Sequence, residues 1–287
     1  MSHRRALAGM ILVTLLWSIA GVVTRFLDSA QSFEVTFWRS LFTALPLGAY
    51  YAFAHGRDTP RLLLAGGKAL WVSGLMWSVM FTCFMVAITL TTVANVLVTM
   101  SVAPLLTALL AQFMLGHPVK LRTWVAIVVA GAGIAWMYAA NVSADSRHLL
   151  GTLVALGVPV AGAINWNILQ RSGQAVDLVP ALLIGAVISA LVTLPLSVPF
   201  QATAHDIGLL AMLGVFQLAI PCALSVRLAR FLPAPEISLL ALLEIVFGIA
   251  WAWLGANEQP APQVLTGGAL VLATLALNEA WGMRKRA

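Results

Sequence analysis

The amino-acid sequence predicts an all-α integral membrane protein, and three observations lead to this fold class. Hydrophobic residues make up 61% of the 287-residue chain and charged residues 9%, with a mean hydropathy of +0.96, values that a water-soluble domain does not show. Apolar stretches of about 20 residues, the length of helix that crosses a bilayer core, recur along the chain. Lys and Arg outnumber Asp and Glu by 16 to 10. They lie in short clusters between the apolar stretches, so they indicate orientation in a lipid bilayer and no nucleic-acid partner.

Ten apolar segments follow one another along the chain, and each predicts a membrane-spanning helix. No Asp, Glu, Lys or Arg occurs between Lys68 and Lys120, a stretch too long for one helix. The polar sequence TLTTVAN at 89–95 predicts a tight turn that divides it. The predicted segments are 6–26, 35–54, 69–90, 94–115, 122–140, 149–170, 178–199, 207–229, 235–256 and 262–282.

The distribution of basic residues predicts the orientation of these segments. An even number of crossings places both termini on one side of the membrane. Most of the Lys and Arg residues lie in the termini or in the loops of that same side, and only Arg25, Arg39 and Arg147 fall on the other. By the positive-inside rule we expect both termini in the cytoplasm. The compact loops favour a bacterial inner (plasma) membrane as the location of this multi-pass protein.

The two halves of the chain, 1–145 and 146–287, resemble each other. The stretches 94–116 and 234–255 share a first residue, a special residue at the same offset (Pro104 and Glu244) and a closing Leu-Gly. Because each half has five crossings, an odd number, the second half is expected to lie upside down relative to the first. Many secondary transporters are built from such inverted repeats, with the substrate site near the midplane where the repeats meet. We therefore expect a central cavity between two five-helix domains.

Four stretches of the sequence carry a resemblance to a known family. They are LLWSIAGVVTR, FWRSLFTALPL, VANVLVTMSVAPLLTALLAQFMLG and LLALLEIVFGIAWAWLG, and they resemble the repeated signature of the drug/metabolite transporter (DMT) superfamily, in its ten-helix EamA-type branch. The resemblance covers nearly the whole chain. The length and the Trp-rich helices are similar to those of the YddG-type aromatic amino acid exporters.

Two positions depart from the pattern of that family. Ile245 follows Glu244 where the family commonly has proline, and His117 stands where a glutamate commonly closes the fourth helix. Glu258, after LGAN, is a displaced counterpart of that glutamate in the second half. These departures weaken the transfer of a detailed role to either glutamate, whereas the expected fold is unaffected.

Glu244 is the first candidate for a site residue, because it is a single carboxylate inside an apolar helix. An ionised carboxylate at bilayer depth costs at least about 2.5 kcal/mol, so such residues normally face a cavity or a partner. Glu244 either carries a proton or recognises a cation, or it accepts hydrogen bonds from a neighbouring helix and maintains the packing. The residues alone leave both interpretations open.

Aromatic and amide side chains form the remaining candidates. An indole offers a flat face for stacking and one N–H donor, and Trp17 and Trp166 occupy the first helix of each half. Asn165 and Gln217 lie in strongly apolar segments and either bind substrate or tie two helices together for about 1 kcal/mol. Packing is the alternative for each tryptophan. With the positions that the resemblance implies for the cavity lining, the candidate substrate-binding residues are Trp17, Trp77, Asn95, Met100, Asn165, Trp166, Gln217 and Glu244.

Two arginines are expected to have no part in the site. Arg25 ends the first segment and Arg39 lies near the outer end of the second, so both are expected to extend toward the membrane surface or to cap a helix. With no Lys or Arg at clear midspan depth, phosphorylated substrates are disfavoured.

The function that follows is secondary transport. The sequence has no P-loop, GxSxG or HExxH motif and suggests no cofactor or metal site, so an enzyme or an ATP-driven pump is not expected. The expected activity is the export of small organic metabolites, amino acids and especially aromatic ones, by alternating access. Alternatives are the transport of other drug-like or cationic metabolites, a membrane scaffold or scramblase, and an intramembrane enzyme that uses Glu244. The expected partners are the substrate and the lipid bilayer, and the chain is a monomer or a homodimer.

Overall fold

A computed structural model describes residues 3–116, 121–139, 146–172, 178–228, 231 and 234–284. All regular structure within these ranges is helical, which confirms the predicted all-α class. The helices are α1 (His3–Thr24), α2 (Ser32–His55), α3 (Thr59–Ala65), α4 (Gly67–Leu90), α5 (Val93–Met100), α6 (Ala103–Leu115), α7 (Leu121–Ala139), α8 (Ser146–Ser172), α9 (Pro180–Ser197), α10 (Ala204–Met212), α11 (Ile220–Leu228), α12 (Ala234–Ala256) and α13 (Pro262–Arg284).

Six of the described helical segments are long and apolar enough to cross a membrane by themselves. They are His3–Thr24, Gly67–Leu90, Val93–Met114, Ser146–Leu169, Pro180–Ser197 and Ala204–Leu228. Shorter apolar stretches lie in α7, α12 and α13, and α2, which carries Arg39, belongs to neither group. A multi-pass membrane protein is therefore supported by length and composition.

The predicted turn between the third and fourth segments is present, but the fourth segment is not one continuous helix. Thr92 ends the turn, and its hydroxyl accepts a hydrogen bond from the Asn95 amide at 3.2 Å. The helix that starts there, α5, ends at Met100, and α6 begins at Ala103. Pro104 explains the break, because its ring displaces the carbonyl of Met100 and it has no N–H to donate to that carbonyl.

A second irregularity lies between α10 and α11, where Leu213–Ala219 form a π-helical turn. Pro221 has no N–H to donate to the carbonyl of Gln217 four residues earlier. The π turn, which is wider than an α-helical turn, includes Gln217. π turns are rare in proteins, and those that occur often lie at functional sites. This turn contains Gln217, one of the candidate site residues.

Helices from the two halves of the chain interleave. α1 packs on α12, α8 on α5 and α6, α4 on α8 and α9, and α2 on α9. Between α2 and α9, the hydroxyls of Ser40 and Ser189 lie 2.9 Å apart. α7 packs on α13, where Gly133 lies against Val271 and Leu270. The interior is thus built jointly by both halves.

Candidate functional site

Arg39 and Gln217 form the centre of a buried polar cluster. Nε and Nη2 of Arg39 donate to Oε1 of Gln217 at 3.2 and 2.8 Å. Nε2 of Gln217 donates in turn to the carbonyl of Trp17 at 3.0 Å. Arg39 is 2% exposed and Gln217 is 3% exposed. The cluster therefore joins α2, the π turn and α1 inside the fold.

The close approach of the π turn to α2 holds the two side chains in place. Thr43 donates through Oγ1 to the carbonyls of Arg39 and Gly214, at 2.8 and 3.0 Å. A Cβ on Gly214 would lie 2.7 Å from Cβ of Phe42 and 2.8 Å from the carbonyl oxygen of Arg39. Only glycine permits this approach, so Gly214 places the amide of Gln217 within reach of the guanidinium.

One nitrogen of the Arg39 guanidinium is left without a hydrogen-bond partner. Nη1 has no hydrogen-bond partner among the described residues, and the guanidinium carbon lies 5.5 Å from the centre of the Phe84 ring. An unpartnered buried donor costs roughly 1–3 kcal/mol, and buried polar groups without partners are uncommon in folded proteins. A polar ligand at this nitrogen would remove that cost.

Glu244 is carried by a helix next to this cluster. Among the contacts of the described residues, its carboxylate makes no ion pair with Arg39. Glu244 is partly exposed and lies on α12, which packs against α1. Nε1 of Trp251 reinforces that packing by donating to Oγ of Ser18 at 3.1 Å. Gly248 and Trp251, four and seven residues after Glu244, both lie against Ser18 of α1, so Glu244 lies on the face of α12 toward the helix that binds Gln217 through Trp17.

The expectation for Arg39 was wrong. α2 starts at Ser32, so Arg39 lies about two turns inside the helix. Its side chain donates to Gln217 and does not extend toward the membrane surface. The expectation that no Lys or Arg lies deep inside the fold is therefore also wrong. Arg25, in contrast, caps a helix as expected, because it donates to the carbonyls of Ile88 and Thr91 at the end of α4.

Trp17 is close to the charged cluster, whereas Trp77 serves in packing. The carbonyl of Trp17 accepts from Gln217, and its side chain packs against the hydrophobic cluster that contains Cys222. Trp77 is buried and packs at 5.5 Å, centroid to centroid, on Phe81. Trp17, Gln217 and the unpredicted Arg39 are thus brought together, and Glu244 lies on the adjacent helix α12.

Asn165 occupies a second buried polar position, between α4 and α8. Its Oδ1 accepts a hydrogen bond of 2.6 Å from Ser73, whereas its Nδ2 has no partner among the described residues. Trp166, the next residue, is partly buried. The predicted hydrogen bond between two helices is therefore present, and the Nδ2 group of Asn165 is available for a further acceptor.

Asn95 and Met100 lie in other surroundings. Nδ2 of Asn95 donates to Oγ1 of Thr91 at 3.1 Å, which places the side chain in the turn between α4 and α5. Met100 is partly buried and packs against the large hydrophobic core. The contacts of both residues are with the scaffold.

The ends of the helices near residues 25–34 and 198–206 are tied together by two buried acids that the sequence analysis did not single out. Both oxygens of Asp206 accept backbone N–H groups, those of Asp28, Ser29 and Ala30, at 2.7 to 3.2 Å. Glu34 accepts the backbone N–H groups of Gln201 and Ala202. From the sequence alone, an acid at the end of an apolar segment is normally interpreted as solvent-exposed. Only a turn motif next to it could have indicated these roles.

The architecture and the cluster define a class of protein. Apolar helices from two halves around a buried arginine with an unpartnered N–H group are typical of membrane transporters, in which ionisable residues at depth mark substrate pathways. The comparisons with known proteins agree. Residues 4–139 match the family model of the EamA-like transporter family, so the first half of this chain is similar to that family of transporters.

Two further proteins are similar over most of the chain. The S-adenosylmethionine uptake transporter of Rickettsia prowazekii (strain Madrid E) is 26% identical over 274 residues, which span 90% of this chain and 87% of that protein. A solved crystal structure of a protein superposes with a TM-score of 0.65 at 15% identity and covers 99% of both chains. That likeness shows a shared fold.

Proposed function

We propose that the protein is a secondary transporter that moves small organic metabolites across the cytoplasmic membrane by alternating access, and that it exports amino acids, aromatic ones in particular. The observation that carries the proposal is the buried Arg39–Gln217 pair with its unpartnered Nη1, beside the helix pair α1–α12 that carries Glu244. Arg39 belongs to the first half of the chain, and Gln217 and Glu244 belong to the second. A relative movement of the halves would therefore change the site.

Helix packing supports the proposed ten crossings in two inverted halves, 1–145 and 146–287. α1, the first helix of one half, packs on α12, and α8, the first helix of the other half, packs on α5 and α6. α4 packs on α8, and α11 and the π turn pack on α1. An exchange of the halves converts each of these pairs into the other, which is the pattern that a two-fold axis between inverted repeats produces.

The proposed site comprises Trp17, Arg39, Gln217 and Glu244, with Trp77, Asn95, Met100, Asn165 and Trp166 as further lining positions. Aromatic faces at Trp17 and Phe84 suit a substrate with a flat apolar part. In the proposed orientation both termini are cytoplasmic, and the protein works as a monomer or a homodimer.

Uptake of S-adenosylmethionine is the second candidate function, because a relative carries that description. This metabolite combines an amino-acid head group with an adenine ring, so it shares its charged end with the aromatic amino acids. The two candidates differ in the apolar part of the substrate and in the direction of transport.

Reconstitution of the full-length protein in lipid vesicles tests these proposals. Labelled L-tryptophan and labelled S-adenosylmethionine are offered separately, with and without the same unlabelled solute inside. Saturable entry that the internal solute accelerates is the result expected of a transporter. If neither solute enters faster than into protein-free vesicles, the proposal is wrong for both substrates.

The direction of transport needs a second measurement in cells. Cells that overproduce the protein should release more aromatic amino acid into the medium than cells that carry an Arg39→Gln variant. Cells that instead accumulate S-adenosylmethionine from the medium would favour the second candidate.

A further inference from the structure

We propose that Arg39 and Glu244 form a two-pole subsite that recognises zwitterionic head groups: Nη1 of Arg39 binds the carboxylate of the solute and Glu244 binds its ammonium group. This inference rests on the proposed transport function and names the substrate class of the same site. It predicts selection of α-amino acids and of larger metabolites that carry an amino-acid end.

The anion-binding pole is built from a guanidinium whose orientation is already set. Nε and Nη2 are occupied by Oε1 of Gln217, and Gln217 is held in turn by the carbonyl of Trp17. Nη1 remains, fully buried and without a partner among the described residues. Arginine binds carboxylates through its planar fork more specifically than lysine does. Because the guanidinium is held by Gln217, the carboxylate of a solute finds its donor already oriented.

The cation-binding pole is the carboxylate of Glu244. Glu244 lies one and two helical turns before Gly248 and Trp251, which both lie against Ser18 of α1, and it makes no ion pair with Arg39 among the contacts of the described residues. The Gln217–Trp17 contacts hold Arg39 on the side of the π turn. The packing of α12 on α1, with Trp251 bonded to Ser18, holds the helix that carries Glu244. The proposed zwitterion bridges these two separately held groups.

Electrostatics then discriminates among head groups. A solute with only a carboxylate satisfies Arg39 and meets the repulsion of Glu244, and a solute with only an amine meets the reverse. A neutral solute leaves the buried donor of Arg39 unsatisfied. A zwitterion satisfies both poles, so selectivity arises from repulsion of the wrong solutes as well as from attraction of the right one.

The test compares three competitors that share one side chain and differ only in the head group. L-phenylalanine, phenethylamine and 3-phenylpropionate compete against the exchange of labelled L-tryptophan, and separately of labelled S-adenosylmethionine, in vesicles that contain the full-length protein. For the unmodified protein we expect phenylalanine to inhibit at concentrations at least about 10-fold lower than either analogue, because each lost charge-assisted hydrogen bond weakens binding by that order.

Two variants separate the poles. In Glu244→Gln, phenylalanine should lose its advantage over 3-phenylpropionate and retain it over phenethylamine. In Arg39→Gln, the advantage over phenethylamine should disappear and the advantage over 3-phenylpropionate should remain. Arg227→Gln is the matched control, since Arg227 is exposed. A purely structural role of Arg39 would weaken all three competitors equally.

The Arg39→Lys variant keeps the positive charge, so it is the second test if Arg39→Gln does not fold. It should preserve the rank order of the three competitors at reduced affinity. If the unmodified protein exchanges a labelled solute but all three competitors inhibit alike, the subsite is wrong and the transport proposal stands. If neither labelled solute exchanges, both the transport proposal and the subsite are overturned.

Discussion

Arg25 and Glu258, which are 233 positions apart in the sequence, form an ion pair of 2.6 Å between Nε and Oε2. Arg25 also donates to the carbonyls of Ile88 and Thr91, and Glu258 accepts the backbone N–H of Val93 at 2.7 Å. The pair therefore ties the end of α1 and the loop after α12 to the turn between α4 and α5.

Replacement of Glu258 with alanine is expected to lower the free energy of unfolding by about 2–3 kcal/mol, because it leaves Arg25 and the Val93 amide without their acceptor. Glu258→Gln retains an acceptor for Val93 and should cost less. The midpoint of thermal unfolding in detergent measures both effects. Equal midpoints for the alanine variant and the unmodified protein would show that the pair contributes nothing to stability.

Gly214→Ala is expected to destabilise the protein by about 1–3 kcal/mol through overpacking and to reduce transport. Its methyl group would collide with Phe42 and with the backbone of Arg39, which separates the π turn from α2. Gly208→Ala is the matched control, since nothing lies within 4 Å of a Cβ there. That variant should be as stable as the unmodified protein or more so. Similar behaviour of the two variants would contradict the role given to Gly214.

Pro221→Ala is expected to decrease transport about 10-fold without any loss of stability. The new N–H can donate to the carbonyl of Gln217, which favours an ordinary helical turn over the π turn. The side chain of Gln217 would then rotate away from Arg39. Pro159→Ala, inside the continuous helix α8, is the control and should transport normally. Vesicle exchange assays and thermal unfolding decide the matter, and normal transport by Pro221→Ala would show that the π turn is dispensable.

Ser73→Ala and Asn165→Ala are expected to differ in transport although they lose the same hydrogen bond. Each should lower stability by about 1 kcal/mol. Only the asparagine variant also removes Nδ2, which has no partner among the described residues, so only that variant should raise the KM. Equal KM values would assign Asn165 to helix packing alone.

The sequence predicted where the long helices lie, because a bilayer requires long apolar segments. Thr92 and its neighbours marked the turn whose position was ambiguous. It also predicted Trp17, Gln217 and Glu244 as candidates, since polar groups are costly in apolar segments. These are local properties of the chain, visible without a partner.

What the sequence did not predict depends on contacts between distant residues. Arg39 looked peripheral because the predicted second segment began three residues too late, and its partner is 178 positions away. Pro221 indicated a kink but not a π turn. Glu34 and Asp206 looked like solvated acids at segment ends, yet each accepts backbone N–H groups from a loop of the other half.

The most direct measurement of the central claim is the reactivity of Cys222, one of the two cysteines in the chain. Its thiol is buried in the cluster against which Trp17 packs, five residues after Gln217. In a Cys83→Ala variant, the rate of modification by a membrane-permeant maleimide reports on this thiol alone. A transported solute should slow that reaction several-fold, and the protection should vanish in the Arg39→Gln variant. An unchanged rate in the presence of a solute that the protein demonstrably transports would place the substrate elsewhere and contradict the account.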